Sequence, residues 1–201
     1  SFTLCFVIAA GEYLQFTKDV EFMEEIYPVL NKIVYSFAAK MTDKGLIEAY
    51  RDKEAWNFYE WAPGYDGNPT DVCDFVIERD EDNVVGAPNN AYFSMALKGY
   101  AEIAKALGKC DEAKEITAMR NSINEKLGEL FWNEEKGLFC SYLKDGKQVN
   151  HYGQLTQALM VCCDAAQGDK IDKALEALAT ENDLIELTMG SYVNKYNALM
   201  Y

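Results

Sequence analysis

Apolar positions recur along this chain at helical spacing, and they do so in two kinds. Residues 19–41 place Met23, Ile26, Leu30, Ile33, Phe37 and Met41 on one face and charges on the other. Residues 110–131 repeat the scheme with Ala113, Ile116, Ile123, Leu127 and Leu130, and residues 169–180 with Ile171, Ala174, Leu175 and Leu178. One-sided helices of this sort form an outer layer. Between them lie segments that are apolar nearly all round. These are residues 2–16 (Phe2, Leu4, Phe6, Ile8, Leu14), 88–107 (Tyr92, Phe93, Leu97, Tyr100, Ile103) and 152–166 (Leu155, Leu159, Met160, Val161). Residues 192–201 begin in the same way. A helix apolar on all sides is buried on all sides. The order is therefore inner, outer, inner, outer, inner, outer, inner.

The connections are lopsided. Inner-to-outer corners are tight, at Thr17–Lys18, Gly108–Lys109 and Gln167–Gly168, whereas the outer-to-inner stretches 43–87 and 131–151 are long. All long loops then lie at one end, over the starts of the inner helices. Two concentric layers of alternating helices describe an all-α fold, an α/α toroid made of helix hairpins. The chain is expected to be a single domain over residues 1–201, about half of a six-pair (α/α)6 barrel, and a piece of something longer. An internal repeat supports the hairpins. Thr42-Asp43-Lys44-Gly45-Leu46-Ile47 matches Glu134-Glu135-Lys136-Gly137-Leu138-Phe139 in type, with Tyr50 and Tyr142 following at the same offset. Gly137 and Gly45 are 137 − 45 = 92 residues apart, as are Asp111 and Asp19 at the helix corners. Self-similarity of this kind marks stacked helical units. It predicts outer helices of fixed length, each stopped by a C-cap glycine at Gly45 or Gly137.

Composition narrows the function. With 33 acidic and 19 basic side chains the net charge is −14, which argues against nucleic acid or an anionic membrane as partner. No stretch reaches the ~20 apolar residues of a membrane span. Six cysteines without C-x-x-C spacing read as free thiols, which favours a cytoplasmic origin. A single histidine, His151, excludes zinc sites built on two or three histidines. No P-loop or G-x-G-x-x-G is present, so no cofactor is expected. Open edges of a half barrel would leave inner helices without neighbours, which predicts self-association.

The sharpest segment is Trp56-Asn57-Phe58-Tyr59-Glu60-Trp61-Ala62-Pro63-Gly64-Tyr65-Asp66-Gly67. Sugar rings have an apolar C–H face that stacks on aromatic rings and an equator of hydroxyls that donate to carboxylates. Trp56, Trp61 and Tyr65 beside Glu60 and Asp66 therefore make a candidate carbohydrate surface. The same aromatics could equally plug the barrel end while the acids cap turns. His151, at the start of an inner helix, is either a substrate contact or a packing residue. The acidic run 78–82 reads as a solvated loop.

The W-N-F-Y-E-W-A-P-G-Y-D-G run resembles the catalytic domain of the α-L-rhamnosidases, glycoside hydrolase family 78. The order around it is similar too: Tyr27-Pro28, the Gly-Leu turn, Asn89-Asn90-Ala91, Leu107-Gly108, Phe131-Trp132 and Lys136-Gly137-Leu138. The resemblance implies a six-pair α/α barrel that hydrolyses terminal α-L-rhamnosides with inversion. It implies a sugar-contacting role for Glu60 and Trp61, and for Trp56. The position matching Glu60 is commonly Asp in that family. The family's general acid lies in a D-x-x-x-R-x-E motif, which this sequence lacks, and its general base lies downstream of the region resembling residues 184–201. Both catalytic carboxylates are thus expected outside the chain, with Glu60 and Asp66 as weaker candidates. The residues alone leave two other functions open. One is a non-catalytic helical scaffold that binds protein or sugar through its loop end. The other is a different toroid glycosidase, glucoamylase-like or acting on unsaturated uronides.

Overall fold

The computed structural model describes residues 2–49, 57–67, 83–180 and 183–201. Helices α1 (Phe2–Thr17), α3 (Ala87–Ala106), α5 (Gln154–Cys162) and α7 (Tyr192–Leu199) alternate with α2 (Val20–Ala38), α4 (Cys110–Leu130) and α6 (Asp169–Ala179). α1 packs on α3, α3 on α5 and α5 on α7, which makes the inner row. α2, α4 and α6 cover that row from outside. The predicted two-layer arrangement of helix hairpins is present. α3 sits mid-row and is buried along most of its length, including Phe93, Leu97, Tyr100 and Ile103. α1 departs from expectation, because Phe2, Phe6 and Phe16 are exposed, the last at 87%. α7 likewise exposes Val193, Tyr196 and Leu199. Among the described residues these two helices stand at the ends of the row, α1 packed closely on α3 and α7 on α5.

α1 and α3 approach so closely that their backbones touch. A Cβ on Gly11 would lie 2.6 Å from Cα of Gly99. Glycine is required at Gly11 for this contact, which a side chain would force apart, and a Cβ on Gly99 would sit at a tight 3.3 Å from Cα of Gly11. Inner helices end in left-handed residues: Gly108 (φ +76) after α3 and Asp164 (φ +67) after α5. Lys109 N–H bonds Ala104 O and Ala165 N–H bonds Met160 O, both at distances typical of a closed helix end. Asp164 tolerates that conformation because its carboxylate is held by Arg120, Lys98 and Tyr201. At the same end Glu112 of α4 accepts from Tyr27, Tyr35 and Tyr100, tying α2, α3 and α4 together.

The long connections carry small sheets that the helical pattern does not show. β1 (Val84–Gly86), β4 (Tyr142–Lys144) and β5 (Lys147–Gln148) form one antiparallel sheet in the order β1-β4-β5. β2 (Trp132–Asn133) and β3 (Leu138–Phe139) form another. Gly137 (φ +65) turns that second hairpin, and Gly45 (φ +72) turns the matching one bridged by Met41 and Ile47. Neither glycine caps a helix, contrary to the sequence expectation. α2 stops at Ala38 and α4 at Leu130, and a short hairpin follows each. Nor are the outer helices of equal length, since α2 has 19 residues and α4 has 21. Asp19 caps α2 by accepting from Phe22 N–H, whereas Asp111 lies inside the first turn of α4. Tyr50 and Cys73 lie outside the described residues.

The repeat has a different physical basis. Asn90, the fourth residue of α3, donates to Ile47 O (2.9 Å) and accepts from Ile47 N–H (2.8 Å). Gln157, the fourth residue of α5, donates to Phe139 O (2.7 Å) and accepts from Phe139 N–H (3.0 Å). Ile47 and Phe139 are 139 − 47 = 92 residues apart. α3 and α5 therefore each begin with a buried amide that pairs with the backbone of the preceding hairpin. Removing one leaves buried groups without partners, at about 1–3 kcal/mol each. Asn90→Leu is expected to lower unfolding stability by about 2–4 kcal/mol in urea titrations. A loss under about 1 kcal/mol would contradict this role.

Candidate functional site

The loop 57–67 closes on itself, with Tyr59 N–H (2.8 Å) and Glu60 N–H (3.4 Å) both donating to Tyr65 O. It is then pinned from beneath at three consecutive residues. Tyr65 reaches down through the notch that Gly153 leaves, where a Cβ would lie 2.5 Å from its hydroxyl. That hydroxyl completes a ring with Ser141 Oγ and Thr156 Oγ1, every side 2.7 Å. Gly64 O accepts from Tyr142 OH at 2.8 Å. Pro63 O lies 3.0 Å from His151 Nε2. A carbonyl can only accept, so Nε2 carries the proton, and in the neutral ring Nδ1 is bare. The imidazole stands edge-on to Tyr65 at 4.7 Å, with Tyr142 at 5.1 Å. Burial lowers its pKa, outweighing its backbone hydrogen bonds, and burial pushes the Tyr65 phenol up to about 12.

His151 and Tyr65 are therefore supports. Each is 1% exposed, so neither ring can meet a ligand on the outer surface of the loop. His151 is buried with Nε2 on Pro63 O, an arrangement that fits the packing role read for it. Tyr65 does not present a stacking face, because its hydroxyl finds its partners in the core.

The upper limb is different. Trp61 is 63% exposed and rests edge-on against Phe58 at 4.7 Å. Phe58 in turn stacks on Phe2 of α1 at 6.0 Å. Glu60, next to them, is 2% exposed. Its Oε1 accepts from Trp61 N–H at 2.7 Å and from the hydroxyl of Thr188. Its Oε2 is buried and has no partner among the described residues. Glu60 and Trp61 line a cavity of about 240 Å³ together with Cys5, Phe58, Tyr92 and Asn194. Asn194 of α7 donates to Tyr92 OH of α3 at 3.1 Å, which joins two walls of the cavity. Burial, together with the nearby Glu60, raises the Tyr92 phenol pKa.

Of the residues singled out in the sequence, Glu60 and Trp61 meet in this cavity. Asp66 is half-buried on the other limb and is not part of its lining. Trp56 and the acidic run 78–82 lie outside the described residues. Cys5, Tyr92, Thr188 and Asn194 were not legible as site residues. They come from helices or a distant loop and carry no local motif. A larger hollow of about 540 Å³, lined by Arg120, Asn124 and Lys170 among others, lies on the outer layer, away from this loop. Among the described residues no group of side chains could hold a metal ion, and no helix is long and apolar enough to cross a membrane.

Residues 2–189 match the model of the bacterial alpha-L-rhamnosidase 6 hairpin glycosidase domain. No curated protein matches the chain. Among solved structures, a GH78 family rhamnosidase of Bacillus sp. GL1 superposes with a TM-score of 0.82 at 21% identity, over 98% of this chain and 19% of that one. A rhamnosidase from Klebsiella oxytoca with rhamnose bound gives 0.74 at 15% identity, over 98% of this chain and 34% of that one. The chain thus spans well under two thirds of either structure, and at these identities the likeness concerns the fold. The family model, covering nearly the whole chain, shows the rest: this protein belongs to the bacterial alpha-L-rhamnosidase six-hairpin glycosidase family.

Proposed function

We propose that the cavity beside Glu60 is a sugar subsite of a glycoside hydrolase that cleaves terminal α-L-rhamnosides with inversion. One observation carries this: a buried carboxyl oxygen without a partner, set in an aromatic cavity. Leaving such an oxygen unsatisfied costs about 1–3 kcal/mol, which a ligand hydroxyl would recover. Trp61 and Phe58 offer apolar faces to the C–H side of a ring. The Klebsiella oxytoca structure, which shares the fold, carries rhamnose.

Inversion requires two carboxyl groups ~6.5–9.5 Å apart with a water between them. Glu60 already spends one oxygen on Trp61 and Thr188, and Asp66 is not part of the lining. Glu60 and Trp61 therefore bind and orient the sugar, and the reacting acid and base come from other parts of the enzyme. A loop end that binds no ligand would need no such oxygen kept free. The chain should bind L-rhamnose saturably, followed by tryptophan fluorescence, without hydrolysing an aryl α-L-rhamnoside. Glu60→Gln should weaken binding about tenfold. Unchanged binding in that variant would sink the subsite, and turnover by the chain would sink the placement of the reacting carboxyls.

His151 is buried beneath the loop, and burial favours its neutral form. Its pKa in the folded state lies below the ordinary 6.5, so the unfolded chain takes up a proton first as pH falls. This stability is complete at neutral pH and is lost on acidification below about 6.5. The Tyr65 phenol beside the imidazole, pushed up to about 12 by burial, stays neutral throughout that window. Melting temperature should therefore drop between about pH 7.5 and 5.5, and His151→Gln should flatten that slope. An identical slope in the variant would assign it to other groups.

The apolar faces exposed on α1 and α7 support self-association of the chain at high concentration. Light scattering should show mass rising with concentration, and Phe16→Glu with Tyr196→Glu should suppress it. A constant monomer mass in the unsubstituted chain would refute this.

A further inference from the structure

The subsite is assembled from stretches far apart in sequence, and one hydrogen bond joins its two halves. Thr188 lies 128 residues beyond Glu60, at the cap of a short 3₁₀ turn (Met189–Ser191) that leads into α7. Its hydroxyl donates to Glu60 Oε1, and Ser191 N–H donates to Thr188 O at 3.0 Å. The segment before it is fixed as well. Ile185 N–H bonds Tyr152 O at 3.0 Å, Gln154 N–H bonds Ile185 O at 2.9 Å, and Leu187 is buried in the core. Thr188 is thus presented by an anchored backbone.

The Glu60 carboxyl group could turn about its last bond in several ways. Trp61 N–H alone restrains one oxygen from its own loop. The Thr188 hydroxyl restrains that same oxygen from the opposite wall. With both donors committed to Oε1, Oε2 is the atom left over, and it is the one without a partner. Beyond Thr188 the same segment supplies Gly190, Ser191, Val193 and Asn194 to the cavity wall. The hydrogen bond therefore sets the orientation of the carboxyl group and the seating of the wall facing it.

We propose that Thr188 is the positioning residue of the sugar subsite, holding Glu60 so that Oε2 is presented to a hydroxyl of the bound sugar. This presupposes the subsite proposed above. Thr188 touches the sugar in no step; it acts through Glu60, and its value is preorganisation, since a fixed acceptor loses less freedom on binding than a mobile one.

The test compares Thr188→Val, which removes the donor, and Thr188→Ser, which keeps it, with Glu60→Gln, all in the full chain and titrated with L-rhamnose. Thermal unfolding is measured alongside. Thr188→Val is expected to weaken binding about tenfold, while Thr188→Ser stays within about twofold of the unsubstituted chain. Equal weakening in both Thr188 variants would show that the methyl group packs and the hydroxyl does not position, which overturns the proposal. Full binding in Thr188→Val with loss in Glu60→Gln overturns it too, while leaving the subsite standing. Full binding in all three overturns the subsite and the positioning role together. If Thr188→Val unfolds, the Thr188→Ser protein and a Thr188→Ala variant decide between the same outcomes.

Discussion

Wherever an outer helix hands the chain to an inner one, backbone is buried outside any helix, and its polar groups must find partners. Asn90 and Gln157 meet that requirement. Each amide offers both donors and an acceptor, so a single side chain can complete a residue as a neighbouring strand would. Asn90 completes Ile47, and Gln157 completes Phe139. Both sit one turn into an inner helix that is buried around them. This pairing locks each hairpin to the helix it precedes, and the small sheets and the loop 57–67 stand on that platform. The two pairs are spaced by the internal repeat, so the unit being repeated is the joint between layers as much as the helices.

The loop obeys the same requirement with different groups. Its carbonyls at Pro63, Gly64 and Tyr65 are covered, and a histidine, a tyrosine and two backbone N–H groups answer them. Satisfying the lower limb so fully fixes the upper limb, where Glu60 and Trp61 stand. One oxygen of Glu60 is left without a partner at the edge of this support. In a buried setting that exception carries a cost, and a bound ligand is the simplest group to offset it. Rigid support below and an open acceptor above are what a preorganised binding site requires.

The opposite end of the fold is held by charge and hydroxyl contacts. Burial alone would raise the pKa values of Asp164 and Glu112. Hydrogen bonds and nearby cations outweigh it, so both carboxylates lie below their usual values. Each draws on several elements: Asp164 on α3, α4 and Tyr201 after α7, Glu112 on α2 and α3. These networks fasten the corners where chain direction reverses, away from the site, and leave the loop end free to specialise.

Helical periodicity by itself determined the seven α-helices of the described residues and their alternation in two layers, and the lengths between them determined the end at which the long connections gather. Apolar spacing is a local property of the sequence, and helices are local structures. Local signals also marked the aromatic loop with Glu60 and Trp61. Tertiary structure decided what each marked residue does. Tyr65 and His151 look like sugar contacts beside Trp61, yet they point into the core, because Gly153 opens a notch and Ser141 and Thr156 supply partners there. Gly45 and Gly137 look like helix caps and are hairpin turns, because Asn90 and Gln157 hold the residues after them. Thr188, Tyr92 and Asn194 carry no motif at all. They become part of the site through chain reversals that bring α3 and α7 to the same loop. Which hydroxyl meets which carboxyl depends on contacts between residues more than a hundred positions apart, and such contacts exist only once the helices have packed.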